Sequence, residues 1–211
     1  MATVAPPAPA ADPRTRILDA ALRLMSEQGS AGSSMRQLAS ACQLNVATIY
    51  HYFPSKADLL RSVLEERRYG ERLSSEAPPL DLTVPPGPRL VGLLGWLWTN
   101  ALEEEAVFRL LVGEAIRGER AATTCAAELV DLLAVTIERW LVDWFPELSG
   151  DRGRLARVIR GQVFALVVEH LALGGVTPKV ARGRAEELAA VVFPAMPTPA
   201  RARAAAQGSK R

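Results

Sequence analysis

Apolar residues recur along most of the chain at steps of three and four, with almost no strict alternation. That spacing belongs to amphipathic helices rather than strands. In "PRTRILDAALRLMSEQG", Ile17, Ala20, Ala21, Leu24 and Met25 form one stripe, and Gly29 supplies the stop. Next, Ser34 stands three residues before Gln37 at the head of "SSMRQLASACQL", the spacing of a capping box in which each side chain satisfies a loose backbone donor of the other. After a tight turn at Gln43-Leu44, Asn45 is a good N-cap for "VATIYHYF", and Pro54 helps to end that third helix. Ser55 to Asp58 repeats the capping pattern before "KADLLRSVLEERRYGERL".

Beyond Leu73, "APPLDLTVPPGP" reads as a proline-rich connection, and each later segment reads as helix. Leu90, Leu93, Leu94, Leu97, Trp98, Ala101 and Leu102 keep a helical stripe. So do Leu129, Leu132, Leu133, Ile137, Trp140, Leu141 and Trp144 in a long segment ended by Pro146. The middle of "DRGRLARVIRGQVFALVVEHLALGG" is apolar on more than one face, which requires cover on both sides. "PKVARGRAEELAAVVF" closes the series. The expected architecture is all-α: a flexible arm at 1–12, a three-helix head with its connecting helix at 13–73, the connection at 74–88, a helical body at 89–193, and a low-complexity tail at 194–211.

One stretch breaks the even pattern. "LNVATIYHYFPSK" sets Tyr50, His51, Tyr52 and Phe53 in a row, in a chain that is only 6% aromatic. Four consecutive rings on a helix point in several directions, so some face outward. Outward Tyr50 and His51 beside Lys56 suit a charged, hydrogen-bonding partner, with phosphate the leading candidate, and Phe53 is assigned to the small core. Lys56 also heads a helix whose free N–H groups favour an anion.

Helix, turn and short helix after a packing helix is the helix-turn-helix layout, whose second short helix enters the major groove. The stretch from about Thr15 to Leu64, above all "ATIYHYFPSKADLL", resembles the DNA-binding domain of TetR-family transcriptional regulators. One departure is Cys42-Gln43, where that family commonly has Ala-Gly; a non-glycine at positive φ there costs on the order of 1 kcal/mol. The resemblance implies backbone contacts from Tyr50, His51 and Lys56. Within the same layout Asn45, Val46 and Ala47 lie where base edges come within reach, with Asn45 also serving as a cap. Val46 and Ala47 can touch thymine methyls, Thr48 can bond a phosphate, and Arg36 can reach guanine or phosphate.

Composition narrows the alternatives. The chain of 211 residues is 49% apolar and 23% charged, ordinary for a globular protein, and its net charge of +2 requires any basic surface to be local. Two cysteines, Cys42 and Cys125, make neither a metal cluster nor a disulfide framework, and each reads as a small hydrophobe rather than a redox sensor. No secretory signal pattern opens the chain and its apolar runs are too short to span a bilayer, so the expected compartment is the cytoplasm with no membrane partner. A phosphate loop, paired histidines and a Gly-x-Ser-x-Gly turn are all missing, so neither an enzyme nor a metal or cofactor is expected.

The resemblance implies a homodimer on a near-palindromic double-stranded DNA operator, usually a repressor, released by a small-molecule effector. The last two helices, Leu155 to Leu173 and Val180 to Phe193, are the expected dimer surface. Trp96, Trp140, Phe164 and His170 are the candidate walls of an effector site for an apolar or amphipathic molecule, although rings at helical spacing equally serve as core. Glu114, Gln162 and Glu169 are further polar exceptions in the oily body, either orienting a ligand or satisfied within the protein. A reading of another class keeps the fold without DNA: a helical small-molecule-binding or interaction protein with a non-functional helix-turn-helix, which Cys42-Gln43 and the modest charge favour.

Overall fold

The computed structural model describes residues 12–67 and 75–194. The expected arm up to residue 11, the end of the connecting helix at 68–74 and the tail from 195 lie outside the described residues. Among the described residues every regular element is a helix: α1 (Pro13–Gly32), α2 (Met35–Cys42), α3 (Val46–Tyr52), α4 (Lys56–Arg67), α5 (Pro86–Glu103), α6 (Glu105–Ile116), α7 (Arg120–Trp144), α8 (Arg152–Leu173) and α9 (Pro178–Val192).

Packing groups these helices into two compact units. The first comprises the described residues up to Ala77 together with Asn100–Thr136; the second comprises Pro78–Thr99 and the chain from Ile137 onward. The division therefore falls within α5 and α7.

In the first unit the helix ends follow from local chemistry. The α1 run is interrupted at Gly29, whose φ of 73° and ψ of 161° suit a residue without Cβ. Ser34 and Gln37 form the reciprocal capping box of α2. At its other end Gln43 adopts the left-handed conformation, φ 55° and ψ 41°. The Leu44 N–H reaches back to the Ala39 carbonyl at 2.9 Å, which closes α2 in the manner of a Schellman motif. The Arg16 guanidinium donates to the Cys42 carbonyl at 2.8 Å, satisfying another orphan acceptor at the same end. Asn45 caps α3 by accepting from the Ala47 N–H at 2.9 Å, and Ser55 accepts from the Asp58 N–H at 3.0 Å at the start of α4.

The core these helices share is aliphatic: Ile17 and Leu18 of α1, Leu38 of α2, Ile49 of α3, Leu59 and Val63 of α4. From α6, Val107, Leu110 and Leu111 complete it, and the most extensive partner of α1 is α6 rather than α2 or α4. Truncating a core side chain such as Ile49 to alanine costs about 2–5 kcal/mol in a comparable setting. The head thus gains a wall from a helix some fifty residues further along the chain.

The second unit is built around Trp140, Leu141, Phe145, Leu90 and Leu93, all buried. Phe145 stacks on Phe193 with centroids 6.1 Å apart, and Ala181, Ala185 and Ala189 give α9 a buried stripe of small residues at four-residue steps. At the head of α5, Arg89 is 3% exposed. Its guanidinium donates to the carbonyls of Leu82 (3.0 Å), Val84 (2.6 and 3.1 Å) and Trp144 (2.6 Å) and to both oxygens of Glu147 (3.1 and 3.2 Å). No described helix is long and apolar enough to cross a membrane.

Candidate nucleic-acid interface

The short helix α3 has two chemically different sides. Ile49 is fully buried, Phe53 just beyond it is buried too, and Val46 and Tyr52 pack partly against the same core. Ala47, Tyr50 and His51, at i, i+3 and i+4, share the opposite side and are exposed, Tyr50 at 49%. The run of four rings is therefore divided, with Tyr50 and His51 outward and Tyr52 and Phe53 inward. His51 and Tyr52 meet edge to face at 5.4 Å, and the Arg14 guanidinium covers the outer face of Phe53 at 5.4 Å.

The remaining candidates lie on α2, on α3 with its cap and at the head of α4. Arg36 on α2 and Asn45 at the α3 cap are exposed, while Val46 and Thr48 are half-buried. Asn45 commits its side-chain oxygen to the Ala47 N–H, and Val46 gives part of its surface to the core, so Ala47 is the most open small side chain of the helix start. Lys56 is half-buried at the head of α4, and its Nζ donates to the Ser33 carbonyl at 3.1 Å. An ammonium carries three donors, so two remain for a phosphate. Lys56 also lines a void of about 10 Å³ with Leu24, Met25 and Leu38.

The αL conformation at Gln43 keeps the turn between α2 and α3 in the geometry a glycine would take. Cys42 is buried, with its thiol pushed up by burial, and its sulfur lies 3.7 Å from the Arg16 carbonyl. Burial, then Glu128 and Glu65, likewise pushes the Cys125 thiol up. At Cys42 burial outweighs the opposing Arg16 and Arg23 charges, and at Cys125 the nearby charges are carboxylates, so neither thiol is activated.

Sequence reasoning missed the serines behind Lys56 and marked Glu114 only as a polar exception in the body. Ser33 is buried and its hydroxyl donates to the Ser30 carbonyl at 3.0 Å. Ser30 in turn donates from its N–H (2.8 Å) and hydroxyl (2.7 Å) to the two carboxylate oxygens of Glu114 on α6. Arg117 adds a third donor at 2.8 Å. Burial acts to raise the Glu114 pKa, but the Ser30 hydroxyl and N–H and the Arg117 charge outweigh it and hold the carboxyl below its ordinary range. Serines at the end of α1 and a glutamate in an apolar helix carry no sequence mark of this pairing across eighty-odd residues.

The other candidates lie in the second unit. Trp96 meets Trp140 edge to face at 5.3 Å, with Trp140 buried, and His170 meets Trp98 in the same manner at 5.6 Å. Phe164 is 51% exposed, because α8 turns Ile159, Leu166 and Val167 inward instead. Glu169 pairs with Arg184 of α9 at 2.8 Å, so it is satisfied within the chain as Glu114 is. In the first unit a cleft of about 320 Å³ is lined by charged groups of α4 and α7, among them Arg61, Glu65, Arg120 and Glu128.

Residues 17–63 match the family model for bacterial regulatory proteins of the tetR family. Over these residues the chain is similar to a TetR-family head. Over 68 residues it is 46% identical to the HTH-type transcriptional repressor KstR of Rhodococcus jostii, a segment that is 31% of each chain. Over 51 residues it is 39% identical to the HTH-type transcriptional regulator UidR of Escherichia coli, covering 24% of this chain and 26% of the relative. The matched segment thus spans only about a quarter to a third of these relatives. The fold similarity reaches further than the TetR-type head. Salmonella enterica GusR superimposes with a TM-score of 0.64 over 86% of this chain and 95% of its own at 19% identity. A TetR-family transcriptional regulator from Rhodococcus sp. does so with 0.63 over 86% and 98% at 18% identity. At those identities the likeness concerns the fold alone.

Proposed function

We propose that this protein is a one-component transcriptional regulator, acting as a repressor, whose TetR-type head binds a near-palindromic operator. The observation that carries this reading is the outward side of α3, with Ala47, Tyr50 and His51 exposed, together with a Lys56 ammonium at the head of α4 that has donors to spare. Tyr50, His51, Thr48 and Lys56 hold phosphates, while Ala47, with the exposed part of Val46 and Asn45, meets base edges and Arg36 reaches guanine or phosphate.

The dimer of this reading forms through α8 and α9. Val158, Gly161, Ala165 and Ala172 recur on one exposed side of α8, with Phe164 at its margin, and Val180, Ala190 and Val191 are exposed on α9. Small and aliphatic residues without cover within the chain suit a two-fold helical interface. A small apolar or amphipathic effector held near Trp96, Trp140 and His170 releases the operator by preferring a dimer whose recognition helices are wrongly spaced for successive grooves. Coupling of roughly 1–3 kcal/mol gives about a 5- to 150-fold loss of affinity.

The test is selection of bound duplexes from a random pool by the full chain, followed by titration of the winner. Enrichment of a two-half-site motif supports the reading. Failure to enrich any duplex, with the protein folded, overturns it in favour of a helical binding protein without a DNA target.

A further inference from the structure

Arg117, Glu114, Ser30, Ser33 and Lys56 are joined in one unbroken run of hydrogen bonds, every link between 2.7 and 3.1 Å. The run starts on α6, crosses the corner between α1 and α2, and ends at the first residue of α4. Glu114 is only 3% exposed, which makes its three donors obligatory: a buried carboxylate without them is strongly unfavourable. Ser33 is buried too, so its carbonyl has no ready access to water, and Lys56 is the donor that meets it. The ammonium therefore does not sample freely as a surface lysine would.

Gly29 fixes the same corner from the other side. A Cβ built on it would stand 3.3 Å from the Arg117 guanidinium, and its φ of 73° turns the chain so that the Ser30 N–H faces α6. Backbone geometry and charge thus agree on one position for the Ser30–Ser33 segment.

We propose that Glu114 is a positioning residue for Lys56, so that the placement of α6 is read out at the phosphate-contacting end of the head. The inference rests on the phosphate role given to Lys56 under the proposed function. A shift of α6 that withdraws Glu114 from Ser30 releases the Ser33 carbonyl and, with it, the anchor of the ammonium. Glu114→Gln keeps the shape and removes the charge: an amide nitrogen facing the Ser30 hydroxyl reverses that bond, and one in the other position deprives the Ser30 N–H and Arg117 of their shared acceptor.

The experiment is a double-mutant cycle on the full chain, using a duplex selected from a random pool by the wild-type protein and anisotropy as the readout. Glu114→Gln is expected to weaken binding about three- to tenfold in the presence of Lys56 and to have almost no further effect in the Lys56→Ala background. Ser30→Ala, which removes only one hydroxyl, is the second variant should Glu114→Gln fail to fold, and it is expected to follow the same pattern. A second readout needs no DNA: acylation of the Lys56 Nζ by acetic anhydride, followed by mass spectrometry, becomes faster when the run is broken. Equal losses of affinity in both backgrounds would show a merely structural role and overturn the proposal, as would unchanged affinity with unchanged Lys56 acylation. If the wild-type chain selects no duplex, the DNA reading fails, and acylation alone decides whether Glu114 positions Lys56: faster labelling in either variant supports it and unchanged labelling overturns it.

Discussion

Arg89 in the second unit and Lys56 in the first are both seated on main-chain carbonyl oxygens, but they are seated differently. Arg89 spends its planar fork on three residues' carbonyls and the Glu147 carboxylate, lies over the Phe145 ring at 5.5 Å, and is buried. Lys56 makes a single such bond, to Ser33, and is half-exposed. A saturated guanidinium holds loops together, whereas an ammonium with donors left over is poised to hold something else. The comparison separates a structural cation from a binding one without reference to their charge, which is the same.

The sharpest way to break this comparison is to remove each cation in turn. Arg89→Leu leaves the carbonyls of Leu82, Val84 and Trp144 short of donors and should cost about 3 kcal/mol of stability, read by chemical denaturation. Lys56→Ala leaves the one buried Ser33 carbonyl short of its donor and should cost about 1–2 kcal/mol by the same measurement. On a selected duplex, however, it should flatten the dependence of log affinity on log salt by about one counterion per half-site. If Lys56→Ala instead altered base preference and left the slope intact, the division between the two cations would collapse.

The acidic partners extend the comparison to pH. Glu114 is buried and its carboxyl is held below the ordinary value of 4.5, so its contribution to stability is fully present above that pH and is lost as pH falls through the folded-state value. Wild-type melting temperature should therefore fall more steeply, as pH drops below about 4.5, than that of Glu114→Gln. Glu147 is also held low, first by a backbone hydrogen bond and then by Arg89, but it is exposed. Replacing it with glutamine should barely alter that profile, because solvent screens the change.

The smallest effect concerns a position that touches neither cation. Gln43 is the only non-glycine residue with positive φ among the described residues, and Gln43→Gly should raise stability by about 0.5–1 kcal/mol by relieving it. The salt slope should not move. A slope that did change would mean that the α2–α3 turn, rather than Lys56, sets the electrostatic contact.

What the sequence makes legible follows from the range of the interactions. Ser34 with Gln37, Asn45 with Ala47, and Ser55 with Asp58 are bonds over two or three residues, and each is readable as a spacing. The division of Tyr50 from Phe53 is readable because helix geometry forces consecutive rings apart. Ser30 with Glu114 and Arg89 with Trp144 are bonds across most of a unit between common residue types, and nothing local distinguishes Arg89 from an arginine facing solvent. The break at Glu104 is equally hidden, since "LEEEAVF" is helix-forming throughout and only packing separates α5 from α6. Phe164 shows the limit from the other side: an aromatic in an apolar helix reads as a wall of a cavity, yet the helix turns it outward.

Gly29 bears on how natural variants of this chain should be judged. By size and hydropathy an alanine there is the mildest of exchanges, and one base change in a codon suffices to make it. Yet the added methyl would meet a backbone angle of φ 73° and a guanidinium 3.3 Å away that is itself holding Glu114. A conservative-looking allele would strain the main chain and loosen a buried carboxylate at once, so harm at this position scales with geometry and not with chemical distance.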